Sequence, residues 1–524
     1  MKNELVKFFF GGAFMEQNKF QWNQKLYDFI EEKVNKNMPM IGNLMEYRIT
    51  DERYTKLIKE INEEYFTHVD GTYKGTKSEL KKDKEYIAKA LIRNVQEVTY
   101  YGDAIQRAID EANSNKDGGK VIIPGSENPE APNVYYTGAI TLKSNVILEI
   151  QKNAILRFVR NKTNEFYPLV YTRWEGVEMM NFSPFIYSYE AENIAIVGEG
   201  VLDGNADEFN WMPWKFGYFK EEDQQIQRER LFELGQKNAD VRTERIFGDD
   251  VSTIRPPFIQ PYKSKNILIK DVKIINSPFW EINPVLCENI KVDNIKVGTN
   301  LYNNDGVDPE SCKDMIIENC YFLTGDDCIA IKSGRNNEGR NIGVPTENVI
   351  IRYNEFKDGH GGITIGSEIS GGVNDIFAHD NYFDSKELDY PIRFKTNAER
   401  GGKLENIYVK NSTVNKSKIA VIHADFFYEE GTNGDHKPIL RNITLENIKT
   451  VEGGSIDAKN ALYIKGFEHA PIENIVIEDA ILNGVNGEAI LQNVKNITFK
   501  NVSINGKKLA DKTFHVNNEF QEII

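Results

Sequence analysis

The sequence predicts an all-β fold, a parallel β-helix, and three observations carry that expectation. A phrase recurs along the chain: Asn or Asp, then Ile or Val alternating with polar residues, as in KNILIKDVKII, ENIKVDNIKV, ENVIIRYNEF, ENIYVKNSTV, RNITLENIKT and KNITFKNVSI. Its starting points between Asn266 and Asn496 fall about 22 to 36 residues apart, the period of a solenoid. Each unit reads as strands and turns that cannot bury an apolar face alone, whereas a parallel stack shares one Ile/Val core with Asn side chains laddered at the turns. A β-sandwich would instead show turn signals every 8–12 residues or so and no repeated phrase.

The elements follow in order. Residues 1–95 read as a helical N-terminal extension, with apolar residues at helical spacing in KLYDFIEEKV and YTKLIKEINEEYF and a polar loop over 67–85. AIQRAIDEAN (104–113) places Ile105, Ala108 and Ile109 on one face and stops at the Gly-containing SNKDGG, so it is expected to cap the N-terminal end of the solenoid. The β-helix is assigned to 96–510, starting with the strand-like KVIIP, and 511–524 forms a C-terminal tail. Residues 206–250, rich in Trp, Phe and Glu, interrupt the repeat; such insertions project from one face, often the binding face.

Composition narrows the function. The 524 residues are 40% hydrophobic and carry 64 Lys and Arg against 79 Asp and Glu, a net charge of −15 with the signs well mixed, which excludes the basic footprint of a nucleic-acid binder. An acidic chain also argues against a polyanionic substrate unless its cations converge in one cleft. Cys287, Cys312, Cys320 and Cys328 lack paired zinc spacing and read as buried free thiols. No apolar run of about 18 residues exists, so no membrane span is expected. Glu4, Lys7 and Glu16 leave the first segment too short for a signal sequence, so cytoplasmic residence is the expectation, with a secreted or periplasmic location the alternative if the chain has been trimmed. Oligomeric state is not legible.

Polar residues that break the repeat gather on neighbouring units: Asp305 and Asp308 in NNDGVDPES, Asp326 and Asp327 in TGDDCIAIK, His360 in DGHGG, and Arg393 and Lys395 in PIRFKTN. Asp305 and Asp326 are 21 residues apart, close to one coil, which makes them vertical neighbours about 4.8 Å apart. Singly, Asp in NNDG is a turn residue and His between glycines a loop residue. Together, crowded carboxylates have pKa values forced apart, and one acid with one base across a bond is what glycoside hydrolysis requires.

NNDG, GDD, GHG and RFK together resemble the signature of glycoside hydrolase family 28, the polygalacturonases, whose usual forms are NTDG, GDD, GHG and RIK. The similarity runs over about four-fifths of the chain, from AIQRAIDEAN to the last Asn-Ile repeat. It implies a right-handed parallel β-helix and inverting hydrolysis of α-1,4-linked galacturonic acid in pectin, polygalacturonate or oligogalacturonides, without a cofactor or metal. By the resemblance Asp326 is the general acid, Asp305 and Asp327 hold and deprotonate the attacking water, His360 tunes the acid, and Arg393 and Lys395 grip the substrate carboxylate, a role suited to a guanidinium and an ammonium. Inversion also implies an acid–base separation of about 6.5–9.5 Å.

Asn304 and Phe394 depart from the family forms at positions that carry no proton. SPFWEINPVLCENI resembles bacterial exo-acting members, with Asn283 where His commonly precedes the Pro; Asn283 is therefore a candidate substrate contact, as are the loop residues Arg335, Arg340, Glu368 and Arg400. The SPFW segment and the aromatic insertion favour exo action. The alternatives are a rhamnogalacturonan or xylogalacturonan hydrolase, a pectate lyase-like β-helix, and a non-catalytic carbohydrate-binding β-helix.

Overall fold

In the computed structural model, which describes residues 21–49, 54–65, 91–216, 224–248, 252–487 and 489–517, the chain winds into a right-handed parallel β-helix. Each coil carries three strands. The Asn-Ile phrases form one stack, running from Glu192–Val197 through Lys265–Lys270, Glu288–Asp293, Lys313–Glu318 and Thr346–Arg352 to Val494–Lys500. Short strands such as Tyr321–Leu323 and Glu355–Asp358 form the second. The third stack contains Ile329–Ile331, Gly361–Ile365, Tyr390–Lys395, Ala420–Asp425 and Asn460–Lys465, hydrogen-bonded in parallel in that order.

Register explains the repeated phrase. Ile194, Ile267, Ile290, Met315, Val349, Ile376, Ile407, Ile443, Ile475 and Ile497 stand one above another, all buried in a single continuous core. The Asn before most of these residues, replaced by Asp314 before Met315 and Asp375 before Ile376, does two jobs. Asn266, Asn289, Asn406, Asn442, Asn474 and Asn496 all adopt positive φ of 55–62°, which Asn tolerates better than most residues. Their side chains also ladder, Asn266 to Asn193 at 2.8 Å, Asn289 to Asn266 at 3.0 Å and Asn442 to Asn406 at 3.1 Å, although the ladder breaks above Asn289, whose Oδ1 has no partner.

The helix Gly102–Ser114 buries Ala104, Ile105, Ile109 and Ala112 over the first coil, as its amphipathic pattern implied. At the other end Lys512–Val516, within the expected tail, pairs antiparallel with Val494–Lys500 and covers the last rung. All four cysteines are buried free thiols.

The N-terminal extension is helical only in part. Gln24–Lys36 is a helix that packs Tyr27, Ile30 and Val34 on Ile316, Ile350, Phe377 and Tyr408 of the solenoid's outer face. The segment read as a second helix is instead the strand Lys56–Tyr65, antiparallel to Leu91–Tyr100, so the 95/96 boundary falls inside a strand. Leu57, Ile58 and Ile61 fit a helical stripe, but alternation fits equally well, and ten paired residues of Leu91–Tyr100 decide between them. The expected loop over 67–85 lies outside the described residues.

Glu60 of this hairpin is buried, accepting from the Arg160 backbone N–H at 2.7 Å while its second oxygen has no partner. Burial pushes its carboxyl up to about 7. A raised acid contributes its stability below the unfolded-state value of about 4.5, and that contribution is lost as pH rises through about 7. Glu60→Gln should therefore flatten the decline of the melting temperature between those two pH values, a difference of about 3 kcal/mol at most, read by calorimetry of both proteins across that range.

Candidate active site

The motifs meet where the second stack turns into the third. TGDD lies between Tyr321–Leu323 and Ile329–Ile331, GHG between Glu355–Asp358 and Gly361–Ile365, and Arg393 and Lys395 stand on the next strand above. Val307 pairs with Ile329, so the vertical neighbour of Asp305 is Asp327, and Asp326 sits one residue earlier in the turn. The expected stacking of Asp305 on Asp326 is corrected by that single residue. Glycine is obligatory here for space: a Cβ on Gly325 would lie 1.8 Å from the Leu301 carbonyl oxygen, and one on Gly361 would lie 2.6 Å from Asp327 Oδ1.

One oxygen each of Asp305, Asp326 and Asp327 lies within 4.8 Å of the other two. This is tighter than the 6.5–9.5 Å or so expected between an inverting acid and base. Such a trio can share a cation or a proton, and their surroundings distinguish them. Asp327 is fully buried, with Lys395 Nζ at 2.6 Å from one oxygen and Arg393 at 3.2 Å from the other, and these cations hold it far below the usual carboxylate range despite burial. Asp305 is buried with one oxygen unpartnered, and desolvation together with the charges of Asp308 and Asp326 raises it well above that range. Asp326 is the most open, its side chain 21% exposed against 0% for Asp327. His360 Nδ1 lies 3.0 Å from Asp326 Oδ1 and Asn303 Nδ2 lies 3.4 Å from Oδ2; although burial opposes it, the His360 contact holds Asp326 low and in turn raises His360. The cluster thus stores a proton on Asp305 beside an ionised, reachable Asp326.

A cavity of about 240 Å³ opens above these groups, lined by Asp305, Asp326, Lys332 and Lys395 from the coils and by Lys215, Gln225 and Arg228 from the insertion. The described residues of the insertion are a packed part of the fold. Its helices Met212–Phe216 and Gln224–Gln236 bury Trp211, Met212 and Trp214 in the main core and Leu231 against Trp174, Phe279 and Trp280. Buried Arg255 ties Gln224 at 2.8 Å to Asn303 at 2.8 Å, and so couples the inserted helix to the turn that contacts Asp326.

Arg393 and Lys395 are in the site, and both face Asp327. Three candidate substrate contacts are corrected. Asn283 is fully buried, donating to the Asp308 carbonyl at 2.8 Å and accepting from Gln260 at 2.7 Å, and is part of the floor. Arg335 and Arg400 are buried as well. Arg335 bridges Glu175, Glu368 and Glu429, and Arg400 holds Glu429 at 2.7 Å and Glu430 at 3.2 Å, so both brace the acidic wall from behind. Arg340, half-buried, donates to the Glu399 and Arg400 carbonyls, whereas Glu368 does line the cavity.

Lys332 is a site residue that motif reading passed over, although it ends TGDDCIAIK. It lies 3.2 Å from Glu368, 3.8 Å from Asp308 and 4.5 Å from the centre of the Trp280 ring. With Ile329 and Ile331 facing the core, alternation sends Lys332 outward to the cleft, and that parity was readable.

The comparisons with known proteins agree with this geometry. The family model "Glycosyl hydrolases family 28" matches residues 235–504. The exo-poly-α-D-galacturonosidase of Dickeya chrysanthemi is 26% identical over 429 residues, 76% of this chain and 68% of the relative. A crystal structure of a hyperthermoactive exopolygalacturonase from Thermotoga maritima superposes with a TM-score of 0.77 at 34% identity, covering 94% of this chain and 100% of that one. The family 28 exopolygalacturonase of Yersinia enterocolitica shares the fold, at 19% identity and a TM-score of 0.60 over 89% of this chain and 94% of that one. With the motif quartet gathered at one cleft and the family model covering more than half of its length, the chain belongs to glycoside hydrolase family 28.

Proposed function

We propose that the protein hydrolyses α-1,4-linked galacturonate in polygalacturonate or its oligosaccharides, releasing units from a chain end. The observation that carries this reading is the three-carboxylate cluster, one member neutralised by Lys395 and Arg393, at the base of a cleft rich in cations. An acidic chain thereby sets Lys215, Arg228, Lys332 and Lys395 where a polyanion can reach them.

Asp326, the open member, delivers the proton to the leaving glycosidic oxygen. The anionic substrate raises the affinity of Asp326 for the proton stored on Asp305; its transfer leaves Asp305 an ionised base beside Asp327. A water held by this pair attacks the anomeric carbon and gives its proton to Asp305 as the bond to the leaving sugar breaks. Asp327 is not suited to be a covalent nucleophile, because both of its oxygens face cations. That supports a single displacement with inversion, even at this close spacing.

The exo reading rests on the inserted helices forming one wall of the cleft and on the exo-acting relatives. On polygalacturonate, reducing ends should accumulate while viscosity barely falls. An early collapse of viscosity, measured alongside the reducing-end assay, overturns exo action.

A further inference from the structure

Among the described residues, the cations that line the cavity pair off with carboxylates, with one left over. Lys395 faces Asp327, Lys332 faces Glu368 and Asp308, and Arg228 lies 2.8 Å from Glu175 and 3.6 Å from Glu429. The cavity carboxylates are equally committed: Glu175, Glu368 and Glu429 to arginines and Lys332, Asp326 to His360, while Asp305 rests neutral. Lys215, at the end of the inserted helix Met212–Phe216, lines the same cavity and has no carboxylate within 4.0 Å among the described residues. Burial depresses the basicity of its amine, as do the guanidinium groups of Arg255 and Arg228, against the more distant charges of Glu175 and Asp326. A desolvated, unpaired ammonium is costly and pays off only when an anion arrives.

We propose that Lys215 is a specificity-determining residue whose ammonium binds the carboxylate of the uronate held between Asp326 and the inserted helices, so that the insertion reads the charge of the terminal sugar. This rests on the hydrolase reading above. The ligand class is a sugar carboxylate, since a neutral hexose would leave the amine as unpaired as before. Lys215 stands outside the four motifs, so its contribution falls on binding and on discrimination between charged and neutral sugars, with the proton chemistry unchanged.

The test compares wild type, Lys215→Met and Lys215→Arg on trigalacturonate and on the same trimer methyl-esterified at its terminal unit. Lys215→Met should lower kcat/KM on the acid trimer about tenfold, mainly through KM, and change the ester by less than about twofold, with Lys215→Arg close to wild type. An unchanged preference between acid and ester in Lys215→Met overturns the proposal, as does an equal loss on both. Calorimetric titration of trigalacturonate into Asp326→Asn, with and without Lys215→Met, reads binding apart from turnover. Tighter binding by the protein that retains Lys215 upholds its role even if wild type hydrolyses neither trimer, a result that would instead refute the hydrolase reading.

Discussion

Asp326→Asn is expected to lose about 10³–10⁴ in kcat while the protein folds and melts as wild type does, because it removes the proposed proton donor and little else. The side chain is part-exposed at the cleft, and an amide keeps the contact to Asn303 and a polar partner for His360. Steady-state hydrolysis of oligogalacturonides, together with a thermal melt, reads both halves. A non-catalytic carbohydrate-binding solenoid would be indifferent to the change, and retention of more than about a tenth of wild-type kcat would remove Asp326 from the role given to it.

Lys395→Met should be the most damaging single change at the site, because it acts on stability and activity together. It strips the 2.6 Å partner from a fully buried carboxylate and leaves Arg393 alone to compensate Asp327. Breaking a buried pair from one side costs about 3–5 kcal/mol, and Asp327 becomes readier to take up a proton. The double variant Lys395→Met/Asp327→Asn removes both charges and should recover much of that stability, though none of the activity. Denaturant unfolding of the two singles and the double gives the coupling directly. If the effects of the two singles simply add, the ion pair is not the cause.

The fold was legible because one residue type answers two physical needs. Asn, or Asp at 314 and 375, at the head of each strand of the first stack supplies positive φ and a place in a side-chain ladder, so the coil period is written into the sequence. The turn that carries Asp326 and Asp327 was legible for a related reason: glycines at 325 and 361 are forced by sub-contact distances, and the charged residues beside them break an otherwise apolar rhythm. Misreadings arose where partners distant in sequence decide. Residues 56–65 become a strand only because 91–100 lie beside them. Arg335 and Arg400 read as substrate contacts because Glu175, Glu429 and Glu430, which bury them, come from other loops. Lys215 and Arg228 carry no motif, and only the folding of the insertion over the coils brings them to Asp326.

The central claim is that water, activated within the Asp305, Asp326 and Asp327 cluster, displaces a galacturonate unit in one step from the end of the chain. Proton NMR of an unsubstituted oligogalacturonide during the first turnovers tests it most directly. The account predicts that the released sugar, one or two units long, appears first as the β anomer and only then mutarotates. The α anomer appearing first, or an unsaturated product, would contradict it.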